Sequence, residues 1–167
     1  MRMSAADFQI KHGARAGSKS TGKPKGKPEE GLQIRSAIYL RANMPPEIPW
    51  TAIEPAGRGP RDGARQKAKG VNPGFMDYQF LLPPFGTYLG LEGKSKTGSP
   101  SESQKETGGL IDRVGGYWFP FKTLGDLEYV LRSFGVALRT RTLEKPRPHL
   151  VKLVQATDLS RFEWAGP

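Results

Sequence analysis

The run DYQFLLPPFGTYLGLEGK, from Asp77 to Lys94, limits the folds open to this chain more than any other segment, because its apolar residues alternate on either side of a turn. Asp77 to Leu82 and Thr87 to Lys94 read as strands joined by Pro83-Pro84-Phe85-Gly86. An antiparallel pair closed there sets Leu82 against Thr87, and counting outward sets Asp77 opposite Glu92, with Lys94 projecting from the same face. Tyr78, Phe80, Leu82, Leu89 and Leu91 then form an apolar face, while Asp77, Gln79, Gly90, Glu92 and Lys94 form the polar one. A slip by one residue would bury the charges and expose the apolar set, so the register is specified by burial.

Two carboxylates opposite each other in a sheet repel unless something sits between them. A divalent cation is one remedy: carboxylate oxygens suit Mg²⁺, which is commonly held by one or two of them together with substrate phosphates. The nearby Lys94 would then hold a phosphate or the attacking water. The plainer alternative is a solvated polar face on a half-buried hairpin, where such charges are common.

The rest of the chain narrows the partners. At 167 residues it is expected to form a single domain, and its net charge of +10 is large for that size. Lys11, Arg15, Lys19, Lys23, Lys25 and Lys27 lie among Gly, Ser and Pro with no acid between them, so residues 1–27 are expected to form a flexible basic arm suited to polyanions. No apolar run approaches the roughly 20 residues that span a bilayer, and no secretory signal is visible, so a soluble, cytoplasmic protein without a membrane partner is expected. With no cysteine there are no disulfides or thiolate metal sites.

Pro28 to Asn43 reads as the first helix, with Glu29 and Glu30 in its first turn and Ile34, Ala37, Ile38 and Arg41 tracing one side. Glu30 and Gln33 lie a turn apart and could reach one place. Trp50 to Glu54 reads as a short strand, followed by a Gly-rich connection carrying Arg58, Arg61, Arg65, Lys67 and Lys69 as candidate phosphate contacts, to which Lys96 is added beyond the hairpin. A helix is expected from about Pro100 to Val114, capped by Ser99 with Glu102 and burying Leu110, Ile111 and Val114. Tyr117 to Phe121 reads as a strand, and Thr123 caps a final helix carrying Leu124, Leu127, Val130, Leu131 and Phe134. Residues 139–167 form a basic extension whose apolar island, Leu150 to Val154, makes one more strand or clips onto the body.

From Gly70 to Val136 these motifs, in this order, resemble a VRR-NUC domain of the PD-(D/E)XK nuclease superfamily: a Gly-rich approach, an acid, a hairpin to Glu-x-Lys, a Ser-x-x-Gln helix start, a strand and a closing helix. The resemblance implies an α/β fold over residues 28–138, with a restriction-endonuclease-like core in which a central mixed β-sheet is flanked by helices. It implies that Asp77 and Glu92 bind Mg²⁺ or Mn²⁺ with the Gly93 carbonyl, that Lys94 orients the attacking water, and that Gln104 supports the site. Glu30 would add an acid from the first helix. The chain departs from the family pattern at Met76, where proline precedes the acid, and at Gly93, where an apolar residue is usual.

A metal-dependent deoxyribonuclease acting on structured, branched or double-stranded DNA is therefore expected, of the stand-alone kind typical of phages and bacteria. Cutting both strands of a junction would require a homodimer. The competing expectations are a non-catalytic nucleic-acid-binding protein on the same fold and a phage assembly protein with a basic arm.

Overall fold

A computed structural model of the chain describes residues 28–53, 64–65, 68–71 and 74–159. Among the described residues the elements run α1 (Pro28–Asn43), β1 (Trp50–Ala52), β2 (Tyr78–Leu82), β3 (Thr87–Gly93), α2 (Glu102–Arg113), β4 (Tyr117–Phe121), α3 (Leu124–Ser133) and α4 (Pro148–Ala156). The strands form one mixed sheet, ordered β1-β2-β3-β4, flanked by helices. β1, β2 and β3 are antiparallel neighbours, whereas β4 joins β3 in parallel after the crossover through α2. The expected arm (residues 1–27) and the basic residues Arg58, Arg61 and Lys67 lie outside the described residues.

The hairpin has the register that its alternation dictates. Leu82 pairs with Thr87 and Tyr78 with Leu91, so Asp77 is the next position out, opposite Glu92. Tyr78, Phe80, Leu82, Leu89, Leu91, Tyr117, Phe119 and Phe121 line one side of the sheet and join the main core, which α1, α3 and α4 close with Leu32, Leu40, Leu127, Leu131, Phe134, Leu150 and Val154. Each such side chain contributes about 1.5–3 kcal/mol when fully buried. The other side of the sheet carries Gly90, Glu92 and Trp118 and is covered by α2. There Gly108 lies so close to the Trp118 indole that a Cβ would come within 2.1 Å of its Cε2. The face expected to be solvated is thus partly roofed, and Glu92 is 2% exposed.

Four expectations are corrected. The apolar stripe of α1 points outward, with Ile34 56% and Ile38 60% exposed, because Leu32, Ser36, Leu40 and Asn43 form the face that meets the sheet. α2 begins two residues later than expected, with Ser101 as its cap: Ser101 Oγ accepts from Gln104 N–H, and Gln104 Oε1 accepts from Ser101 N–H at 2.8 Å. On that helix only Ile111 of the three expected residues is buried, and Leu110 and Val114 face solvent. The apolar island from Leu150 to Val154 is not a strand but the middle of α4, which packs onto the body through Leu150 and Val154, and α3 is therefore not the last helix.

Asp126 ties α4 to α3. Its buried carboxylate accepts from the backbone N–H of Lys122 and Arg147 and from the Arg147 guanidinium, fixing the residue that precedes α4. Glu144 accepts from Leu124 N–H at the start of α3 and pairs with Arg35 on α1. Glu128 accepts from Thr142 N–H, Arg132 and Tyr39. The segment between α3 and α4 is held to the body by these three acids.

Candidate active site

The ends of β2 and β3 bring Asp77 and Glu92 together. Each carboxylate accepts a hydrogen bond from the other strand: Gly93 N–H donates to Asp77 Oδ2 at 2.8 Å, and Asp77 N–H donates to Glu92 Oε2 at 3.3 Å. Side chains therefore continue the ladder where backbone pairing stops. Because Asp77 precedes the first residue of β2, its carboxylate crosses the end of the sheet toward Gly93, and the two acids meet at the end of the hairpin instead of stacking on an open face.

The remaining partners come from the residue after β3 and from the flanking helices. Glu92 Oε1 accepts from Lys94 Nζ at 2.8 Å and from Gln104 Nε2 at 2.5 Å, and both the Glu92 and Lys94 side chains are largely withdrawn from solvent. Gln104 thus does two jobs, since its amide oxygen caps α2 while its amide nitrogen holds Glu92. On the opposite side of the sheet, Gln33 of α1 hydrogen-bonds the Asp77 carboxylate. Glu29, one turn earlier on α1, accepts from Ser95 N–H at 3.3 Å and adds negative charge near Asp77.

Burial dominates the electrostatics. It raises the pKa of Asp77, against hydrogen bonds from Gln33 and Gly93 N–H and the charge of Lys94, with Glu29 adding to the rise. Burial also raises that of Glu92, reinforced by the Asp77 charge and opposed by Lys94 and Asp77 N–H. Two carboxylates beside one ammonium leave a negative centre that is incompletely compensated.

Gly93 and Met76, where the family pattern is broken, have local reasons. A Cβ on Gly93 would lie 3.2 Å from Asp77 Oδ2 and 3.3 Å from Phe121 Cζ, so glycine lets Asp77 close onto the strand. Met76 is fully buried beneath Gly90, whose absent side chain leaves room for it: a Cβ there would lie 2.6 Å from Met76 Cγ.

Of the residues singled out in the sequence, Asp77, Glu92, Gly93, Lys94 and Gln104 are brought together. Glu30 is exposed, and Glu29 is the α1 acid that reaches the site, a distinction visible in the spacing 29, 33, 36, 40 that follows the buried face of the helix. Arg65, Lys69 and Lys96 are exposed. The approach segment does come close: a Cβ on Gly74, which has φ +96°, would lie 2.3 Å from the Ser103 carbonyl, next to Gln104. Sequence reasoning also passed over Lys122, which follows β4 beside Lys94 and donates to the Lys96 carbonyl at 2.9 Å.

Among the described residues, no group of three or more His, Cys, Asp or Glu side chains is placed to hold a metal. The two carboxylates offer hard oxygens of the kind that Mg²⁺ accepts when substrate phosphates complete its shell. Also among the described residues, no helix is long and apolar enough to cross a membrane. Comparison of the chain with protein-family models, curated proteins and solved structures gave no match, so what it does has to be argued from this geometry.

Proposed function

We propose that the chain is a Mg²⁺- or Mn²⁺-dependent deoxyribonuclease of the VRR-NUC type, with a restriction-endonuclease-like core, hydrolysing phosphodiester bonds in structured or branched DNA. One observation carries the reading: a buried carboxylate, Glu92, and a half-buried one, Asp77, cross-bonded at the strand ends, share their surroundings with Lys94. The element order α1, β1, β2, β3, α2, β4 around a mixed sheet supports it, as does the net charge of +10.

Asp77 and Glu92, with the Gly93 carbonyl, are the residues that would hold the cation. When bound, the cation supplies Lewis-acid polarisation of the phosphodiester and neutralises charge on the leaving oxygen. The protein's own part is positional. Gly93 N–H and Gln33 fix Asp77, and Gln104 with Asp77 N–H fixes Glu92. Lys94 places a positive point charge beside the carboxylates, where an entering phosphate would gather negative charge. Arg65, Lys69 and Lys96 would grip flanking phosphates without reading sequence, and paired cuts in a junction would need a second copy of the chain.

A second reading, a non-catalytic nucleic-acid-binding protein, is favoured by one detail: Lys94 and Gln104 both bond Glu92 Oε1 and satisfy that oxygen internally. The test is incubation of wild type, Asp77→Ala and Lys94→Ala with linear, flapped and four-way-junction DNA in Mg²⁺, Mn²⁺ or EDTA. The proposal expects cleavage by wild type with metal alone and its loss in both variants. Cleavage that survives both substitutions overturns it. Binding without cleavage by wild type selects the second reading.

A further inference from the structure

β3 and β4 are parallel and end together. Gly93 pairs with Phe121, and Lys94 N–H donates to the Phe121 carbonyl at 2.8 Å. Lys94 and Lys122 therefore leave adjacent strands side by side, with backbones about 4.8 Å apart. The crevice beyond the carboxyl ends of parallel strands is the usual ligand position in α/β sheets.

The two ammonium groups are placed differently. Lys94 Nζ is paired with Glu92 at 2.8 Å and its side chain is 12% exposed. Lys122 is half-buried, and its Nζ donates to a neutral acceptor, the Lys96 carbonyl. Among the described residues it has no carboxylate partner. The acid closest to it in sequence, Asp126, is already engaged: Oδ1 accepts from Arg147 N–H, and Oδ2 accepts from Lys122's own N–H and the Arg147 guanidinium. An ammonium has three donors, so a single carbonyl tether orients the group and leaves donors and charge for an anion. The same bond holds the loop that carries Lys96, bringing a second exposed cation to the rim.

We infer that Lys122 is a phosphate-binding residue of this site, holding a backbone phosphate that flanks the one facing Lys94. The inference rests on the nuclease reading for its substrate, but its test does not require cleavage. Binding of fluorescein-labelled four-way-junction and linear duplex DNA is measured by anisotropy in EDTA, from 50 to 300 mM salt, for wild type, Lys122→Ala and Lys122→Arg, alongside thermal melting.

Loss of one phosphate contact lowers the slope of log affinity against log salt by about 0.9 and weakens binding roughly eightfold at 0.1 M salt. Lys122→Arg restores both, and where cleavage is measurable KM rises in Lys122→Ala and returns toward wild type in Lys122→Arg. An unchanged salt slope in Lys122→Ala, with or without a lower melting temperature, overturns the inference and leaves Lys122 a brace for the Lys96 loop. If wild type cleaves nothing yet the slope falls as stated, the nuclease reading fails and the phosphate contact stands.

Discussion

At the scale of single residues, the site is a negative centre held in the fold at some cost. Burial raises the pKa of both Asp77 and Glu92, so each contributes stability below the ordinary carboxylate range that is lost as pH rises through its raised value. Asp77→Asn keeps an oxygen to accept from Gly93 N–H but cannot ionise. It should therefore melt higher than wild type at pH 8 in EDTA, with the difference vanishing at pH 3, and should lose roughly a hundredfold or more of any metal-dependent cleavage. A variant that melts lower than wild type at pH 8 would contradict this account. The charged residues were legible in the sequence because alternation fixed their register. Gly93 was visible only as an anomaly, since its reason is a contact with Asp77 across the sheet end. Glu29 is less legible than Glu30 because Ile34 and Ile38, which suggest one side of α1, point outward, and that rotates the reading of its first turn.

At the scale of elements, α2 is both a structural cap and part of the site, and the two roles separate by substitution. Ser101→Ala removes the cap hydroxyl and should cost about 1 kcal/mol of stability, with cleavage near wild type once the protein is folded. Gln104→Leu removes the reciprocal cap and the bond to Glu92, and should cost about 1–2 kcal/mol together with most activity. Melting curves read beside cleavage rates check the pair, and equal losses of activity in both would deny Gln104 its second role. The bounds of α1 and β4 could be read directly, because proline and glycine signals frame them. The start of α2 could not, since Ser99 with Glu102 and Ser101 with Gln104 both fit a capping box, and the choice follows from the second bond that Gln104 makes to Glu92. The helical state of α4 is hard to read because a five-residue island with four apolar residues around Lys152 has no decisive period. Pro148 at its first position and the Leu150–Val154 spacing were the available signals.

At the scale of the molecule, the sheet, its flanking helices and the packing of the Leu150 to Val154 island on the body were legible, whereas the acids that hold the segment between α3 and α4 were not, because they are remote in sequence from the groups they hold. Glu128 is the one that titrates usefully. Burial alone would raise its pKa, but Thr142 N–H, Arg132 and Tyr39 outweigh it and leave the carboxyl lowered. Its stabilisation is present above the ordinary glutamate range and is lost as pH falls through the lowered value. Glu128→Gln should therefore cost about 1.5–3 kcal/mol at pH 7, with the gap to wild type closing near pH 3. A gap of constant size across that range would show that packing, not charge, is what the substitution removes.

The hairpin has a further consequence for how the chain tolerates change. The bonds joining Asp77 to Gly93 and Glu92 to Asp77 prolong the same ladder that begins at Leu82 and Thr87, so the pairing of the two acids is set by the register of the whole hairpin. A one-residue slip anywhere along that ladder would uncouple the two acids without touching either, so the apolar side chains buried on the far face hold the acids in step from as much as about 17 Å away by strand rise.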